Sequence, residues 1–201
     1  PLVRLGADIL HFEFGALAVG RTHLKDLLGV KLSASFRGYD LNYIGLDQPG
    51  YYAEVWETLD GTHFLGADLW QRGQRRGAPL DLFHKLIPPA IDLAHFPHPA
   101  PARPEKLGTP GNPLRTLSVG LLHWKKGINF SLQSVKILID NGLHCEYQVV
   151  GEGEYRNALH FACHQMGLGD SVTFCGPLEH PVVLEKCAWA DVFLHGAVSE
   201  G

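Results

Sequence analysis

Ser118 to Gly127, SVGLLHWKKG, carries the densest chemistry in the chain. A strand-like run ends at Gly120, a short loop follows, and Lys125, Lys126 and Gly127 lead into an amphipathic segment. Free backbone N–H groups and the positive end of a helix dipole favour an anion at such a turn, and a lysine adds a full charge. Cations at a helix start are unfavourable without an anion beside them, so the arrangement points to a phosphate-bearing ligand rather than to two idle lysines. It is not a Walker A loop, because no G-x-x-x-x-G-K-[ST] occurs. Gly151, Glu152 and Gly153 form a second strand-to-helix turn. The third glycine of a G-x-G-x-x-G would fall at Arg156, so the dinucleotide fingerprint fails. Two readings stay open for this turn: a ligand approaching the backbone, or a purely structural loop.

Other polar groups follow apolar runs. Glu200 lies just beyond DVFLHG, where a carboxylate can meet ligand hydroxyls; His11 and Glu13 sit in ILHFEF, and Arg37-Gly38-Tyr39-Asp40 follows KLSASF. Charged residues at the ends of neighbouring buried strands face one cleft, unless they form only a solvated turn. His160 and His164, at i, i+4 with Cys163 between them, have no H-E-x-x-H and no fourth ligand, and read as surface histidines. Arg72, Arg75 and Arg76 read as a solvated basic face rather than a lipid contact. Cys145, Cys163, Cys175 and Cys187 form no C-x-x-C pair and read as reduced core thiols.

The elements that must position these residues are short strands alternating with helices. LRTLSVG, CEYQVVG, SVTFCG and DVFLHG read as strands; Gly127 to Asn141, Glu154 to Met166 and PVVLEKCAWA read as the helices between them. This is the sequence form of successive βα units in a parallel sheet, so the expected class is α/β. Ile128, Leu132, Val135 and Ile139 make one apolar stripe, with Asn129, Ser131, Lys136 and Asp140 opposite and Gly142 as the stop. The N-terminal part repeats the pattern with ADILHF, KLSASF, GTHFLG and HKLIP as strands, and with helices over Ala16 to Leu28, Tyr51 to Leu59 and Ala67 to Arg76. Eight of the 13 prolines fall between Pro88 and Pro113, a stretch without apolar periodicity. The reading is two lobes, 1–96 and 114–201, joined by a Pro-rich linker, 97–113.

Composition narrows the classes. The 201 residues are 45% apolar with 17 Lys+Arg against 21 Asp+Glu, which excludes a mainly disordered chain and gives no excess charge for a nucleic-acid backbone. No run reaches the ~20 apolar residues of a membrane-spanning helix and no signal peptide opens the chain, so a soluble protein is expected; the reduced thiols make the expected compartment the cytoplasm. Because the chain opens at Pro1 and stops at Gly201 straight after a strand-like run, it is expected to be cut from a longer polypeptide. Alone it is expected to be inactive and marginally folded.

In this order and spacing, SVGLLHWKKG, VVGEG, VTFCGPL and ADVFLHGAVSEG resemble the C-terminal donor-binding domain of the retaining glycosyltransferases of family 4, of GT-B fold. ADILHFEFG, SFRGYDLN and LIPPAIDLAHF resemble the second part of that family's N-terminal domain, most like its colanic-acid and exopolysaccharide branch. The resemblance implies two Rossmann-like lobes, both truncated. It implies metal-independent transfer, with retention, of a sugar from a nucleotide-diphosphate donor to a glycan or lipid-linked acceptor, with no cofactor and no nucleic acid, at the inner face of the membrane through peripheral contact. By resemblance, Lys126 neutralises the departing diphosphate, Gly120, Gly127 and the helix start bind it, and Gly151, Gly153 and Gly176 line the nucleotide pocket. Glu200 holds donor-sugar hydroxyls, His11 lies near the reacting carbon, and Glu13, Arg37, Gly38, Tyr39 and Asp40 stand on the acceptor side. There are departures. Leu121 replaces the family's usual arginine, Arg37 replaces the histidine of H-G-[FY]-D, and Glu13 stands where a second histidine is often found; the second glutamate of E-x7-E would lie past Gly201. A non-catalytic nucleotide- or sugar-binding protein on the same fold is the alternative.

Overall fold

The computed structural model describes residues 6–92 and 106–200. The chain divides into two compact units, Pro1–Ile91 with Ser199–Gly201, and Asp92–Val198. The segment read as linker lies outside the described residues over 97–105. In its described part Thr109 and Asn112 close a tight turn as an isolated antiparallel bridge.

In the first unit four strands, β1 (Ile9–Phe12), β2 (Lys31–Phe36), β3 (Gly61–Phe64) and β4 (His84–Leu86), pair in parallel in sequence order. Phe36 ends β2 with its ring 4.2 Å from that of Trp56, 5.4 Å from Tyr52 and 5.6 Å from Phe64, and these fully packed aromatics organise the core. A Cβ added to Gly15 would lie 2.1 Å from the Phe36 ring, which is why glycine opens the helix after β1. That region differs from the single helix expected over Ala16 to Leu28. It forms two short helices, α1 (Gly15–Ala18) and α2 (Leu24–Leu28), separated where Gly20 takes a left-handed backbone at φ +70°. RGYD is likewise more than a turn: α3 (Gly38–Asn42) begins there. The remaining helices, α4 (Ala53–Thr58) and α5 (Ala67–Arg75), fall where apolar periodicity places them.

The second unit has β5 (Leu114–Val119), β6 (Cys145–Val150), β7 (Val172–Gly176) and β8 (Val192–Phe193), all parallel, in the order β7-β6-β5-β8. Its helices are α6 (Ile128–Asp140), α7 (Arg156–Gln165) and α8 (His180–Trp189). Ile128, Leu132 and Val135 are buried as the stripe requires; each such side chain contributes roughly 1.5–3 kcal/mol. Ser131, expected on the solvent side, is buried as well, because the loop after β8 covers that flank of α6. β8 is an edge strand, with Val192 41% and Phe193 50% exposed, and α8 buries no residue. All four cysteines are free; Cys145 and Cys163 are core thiols, whereas Cys187 is exposed on α8. The α/β class with parallel sheets is as expected.

Candidate functional site

Counted within the second unit, the strand order is 3-2-1-4, which places the topological switch between β5 and β8. Open parallel sheets bind ligands at the carboxyl ends of the strands flanking such a switch, because the loops there diverge. Here the loop after β5 and the loop after β8 are joined backbone to backbone. Val198 N–H donates to the Lys125 carbonyl at 2.9 Å, and a Cβ added to Gly127 would lie 1.8 Å from Gly196 O. Gly127 has φ +61° and is buried, so its backbone and its surroundings both demand glycine. Lys125 and Lys126 do not begin α6 directly. They close a 3-10 turn, Trp124–Lys126, whose N-terminus His123 caps by accepting from Lys125 N–H at 3.3 Å. The turn sets both lysines beside the start of α6.

The other glycines line the same carboxyl edge and lock adjacent loops together. Gly120 N–H donates to Val150 O, and Gly151 N–H donates to Gly176 O, each at 2.9 Å. Added Cβ atoms on Gly151 and Gly153 would lie 1.9 Å from Gly120 O and 2.3 Å from Leu122 O. Both glycines therefore serve loop packing against the β5 turn. Leu122 is buried between them, its N–H donating to Glu152 O and its carbonyl accepting from Tyr155 N–H, while Leu121 beside it is 57% exposed. Glu200 is grouped with the first unit, where Asn42 Nδ2 donates to its backbone carbonyl at 3.4 Å.

In the first unit the structure brings His11, Glu13 and Arg37 together at the ends of β1 and β2. Arg37 Nη2 donates to Glu13 Oε2 at 3.0 Å, and His11 Nε2 lies 4.0 Å from Glu13 Oε1. Both His11 nitrogens are engaged by β2, Nδ1 with Ser33 Oγ at 2.8 Å and Nε2 with Ser35 Oγ at 2.9 Å. Tyr39 is exposed on α3 and stacks on Tyr43 with ring centres 5.9 Å apart. Asp40 is fully buried, its two oxygens accepting from the backbone N–H groups of Ala16 and Arg37 at 2.9 and 2.8 Å. Burial pushes the Asp40 carboxyl up, opposed by those hydrogen bonds and by the Arg37 charge.

Several participants carry no sequence motif. Arg76, read as part of a solvated face, instead caps α3: its guanidinium donates to the carbonyls of Asp40, Leu41, Ile44 and Gly45 and lies over the Tyr52 ring. Tyr52 OH also donates to Asp40 O, and burial raises this phenol well above its ordinary value. Ser33, Ser35 and His63 belong to no motif, although the alternation in KLSASF puts both serines on one face. In the second unit, Tyr147 OH donates to Ser118 Oγ at 2.8 Å and Ser118 Oγ donates to Leu194 O at 2.6 Å, tying β6, β5 and the loop after β8. His160 and His164 line a cavity with Cys163, Val172 and Phe174, and the His160 ring packs 4.1 Å from the Phe174 ring. Among the described residues no group of three or more His, Cys, Asp or Glu is placed to hold a metal ion, and no helix is long and apolar enough to cross a membrane.

The chain is 28% identical over 200 residues to the protein named "Putative colanic acid biosynthesis glycosyltransferase WcaL" of Escherichia coli (strain K12). The match takes in 96% of this chain and 47% of that protein, so the chain spans about half the length of its relative. Among solved structures, the lipopolysaccharide outer core galactosyltransferase WaaB in its apo form superposes with a TM-score of 0.73 at 13% identity, over 98% of this chain and 52% of that one. Anabaena Alr3699/HepE in complex with UDP-glucose gives 0.69 at 14% identity, over 98% and 55%. These likenesses establish a shared fold. The family model of the group 1 glycosyl transferases matches residues 100–201, which take in all of the switch-point loops, and the chain belongs to that family.

Proposed function

We propose that the protein transfers a sugar from a nucleotide-diphosphate donor to a glycan or lipid-linked acceptor, with retention at the sugar carbon and without a metal ion. The observation that carries this reading is the switch point itself, where a glycine-tight contact between two loops sets Lys126 beside the start of a thirteen-residue helix. Cleaving the donor leaves a diphosphate whose negative charge grows in the transition state. In this reading a lysine and N–H groups at the start of the helix meet that charge and lower the barrier without reorganising. Lys126 is assigned to the diphosphate, and Gly120 and Gly127 to shaping the turns that receive it, their own N–H groups being taken by Val150 O and Trp124 O; Gly151, Gly153 and Gly176 are assigned to shaping the nucleotide pocket, the first two by holding the loops. Glu200 is assigned to the hydroxyls of the donor sugar.

On the acceptor side the reading uses His11, Glu13, Arg37 and the exposed Tyr39, with Gly38 and Asp40 building the helix that carries Tyr39. The UDP-glucose held by the Anabaena neighbour supports a nucleotide-sugar donor, and the colanic acid name of the relative supports a polysaccharide acceptor; a peripheral contact at the inner face of the membrane belongs to the same reading. A non-catalytic binding protein on the same fold is the second reading. It is favoured by Leu121, an exposed apolar residue where a second cation would serve the leaving group. Calorimetry of the full-length protein with UDP, GDP and ADP, with and without Mg²⁺, tests the donor; binding of none of them, or binding only with Mg²⁺, contradicts the reading. Product stereochemistry by NMR decides retention, and sugar transfer separates the enzyme from the binding protein.

A further inference from the structure

Ser33, His11, Ser35 and His63 lie on three neighbouring parallel strands, and the register pairs His11 with Ser33 and Ser35 with His63. Side chains on a strand alternate between faces, so β2 offers two hydroxyls on one face to the imidazoles on either side. The contacts are continuous. Ser33 Oγ is 2.8 Å from His11 Nδ1, His11 Nε2 is 2.9 Å from Ser35 Oγ, Ser35 Oγ is 2.9 Å from His63 Nδ1, and His63 Nε2 is 2.9 Å from the Ile87 carbonyl oxygen.

The far end gives this row its direction. A backbone carbonyl only accepts, so His63 Nε2 carries a hydrogen. In a neutral imidazole the other nitrogen is then an acceptor, and the Ser35 hydroxyl donates to His63 Nδ1. Ser35 has one hydrogen to give, so its oxygen accepts from His11 Nε2–H. His11 Nδ1 is left as an acceptor for the Ser33 hydroxyl. The opposite direction would require a doubly protonated His63.

We propose that His63 is a positioning residue for His11: acting through Ser35, it fixes the Nε2–H tautomer and the ring plane of His11. The functional part of the proposal rests on the reading of His11 as an acceptor-side residue of a transferase. With both nitrogens held, His11 presents its ring edge and face to a ligand in one fixed orientation. Its side chain is 37% exposed, enough to touch a ligand without leaving the row.

The test is long-range 1H–15N NMR of the full-length protein labelled at histidine, at mildly alkaline pH. Wild-type His11 and His63 should both show a protonated Nε2 and an unprotonated Nδ1; an Nδ1–H form of either overturns the relay, whatever the activity. In His63→Ala the His11 resonances should move toward the averaged values of mixed tautomers, and unchanged resonances overturn control by His63. The same variant should lower kcat on the order of tenfold, because a ring no longer held in one orientation forfeits part of its alignment with the reacting groups. Donor affinity should not change. If the wild-type spectrum is as expected and transfer is unaffected by His63→Ala, the positioning role is overturned and the transferase reading is left standing. The wild-type spectrum decides the relay even where the variant fails to fold.

Discussion

Asp40 Oδ1 accepts a hydrogen bond from the backbone N–H of Ala16 at 2.9 Å, joining the start of α3 to the start of α1. Its other oxygen takes the Arg37 N–H, so both buried lone-pair sites face donors. Asp40→Asn keeps the shape but turns an NH2 toward one of those N–H groups. It should cost about 1–3 kcal/mol, the penalty of a buried donor left unsatisfied. Thermal and urea unfolding check this, and an unchanged stability would refute the buried placement.

Asp40 and Asp60 should titrate on opposite sides of the ordinary aspartate value of 3.8. Asp60 is held low by the Leu32 N–H at 2.8 Å and by Lys25, whose Nζ is 2.9 Å away. Its contribution to stability is therefore fully present above the unfolded value and lost as pH falls through the folded one. Asp40 is raised by burial, so the native state holds its proton more tightly and stability declines as pH rises from 3.8 through the folded value. Carboxyl 13C titration reads both, and the cost of Asp60→Asn should shrink toward zero on acidification.

Gly127→Ala should destabilise the second unit. A left-handed backbone costs a residue with a Cβ roughly 1–2 kcal/mol, and the added carbon also meets Gly196 O at 1.8 Å. Gly111→Ala, with no positive φ and open space around it, is the matched control. Equal melting of the two variants would argue against the loop contact at the switch point.

Lys126→Ala should weaken nucleoside diphosphate binding by roughly 1–3 kcal/mol, the range for a charge-assisted hydrogen bond. Leu121→Arg should raise turnover in the full-length protein, since charge aimed at a leaving group acts mainly in the transition state. The exposure of Leu121 leaves room for the longer side chain. Calorimetry and initial rates measure the two effects; a fall in turnover with the fold intact would mean that another cation serves the leaving group.

The alternation of strands and helices, the stripe of Ile128, Leu132 and Val135, and the polar run at Lys125 to Gly127 were legible in the sequence, because local periodicity and turn chemistry are local properties. The sequence by itself therefore determined the α/β class and the loops that bear charge. Only the tertiary structure decided what those loops meet. Gly127 is glycine because of Gly196, nearly seventy positions away, and Arg76 is a helix cap because α5 ends beneath the carbonyls of α3. Likewise the serines of KLSASF became partners of His11 and His63 only once the parallel register was set. Such contacts join residues distant in the chain, and neither spacing nor composition encodes the geometry that brings them within hydrogen-bonding distance.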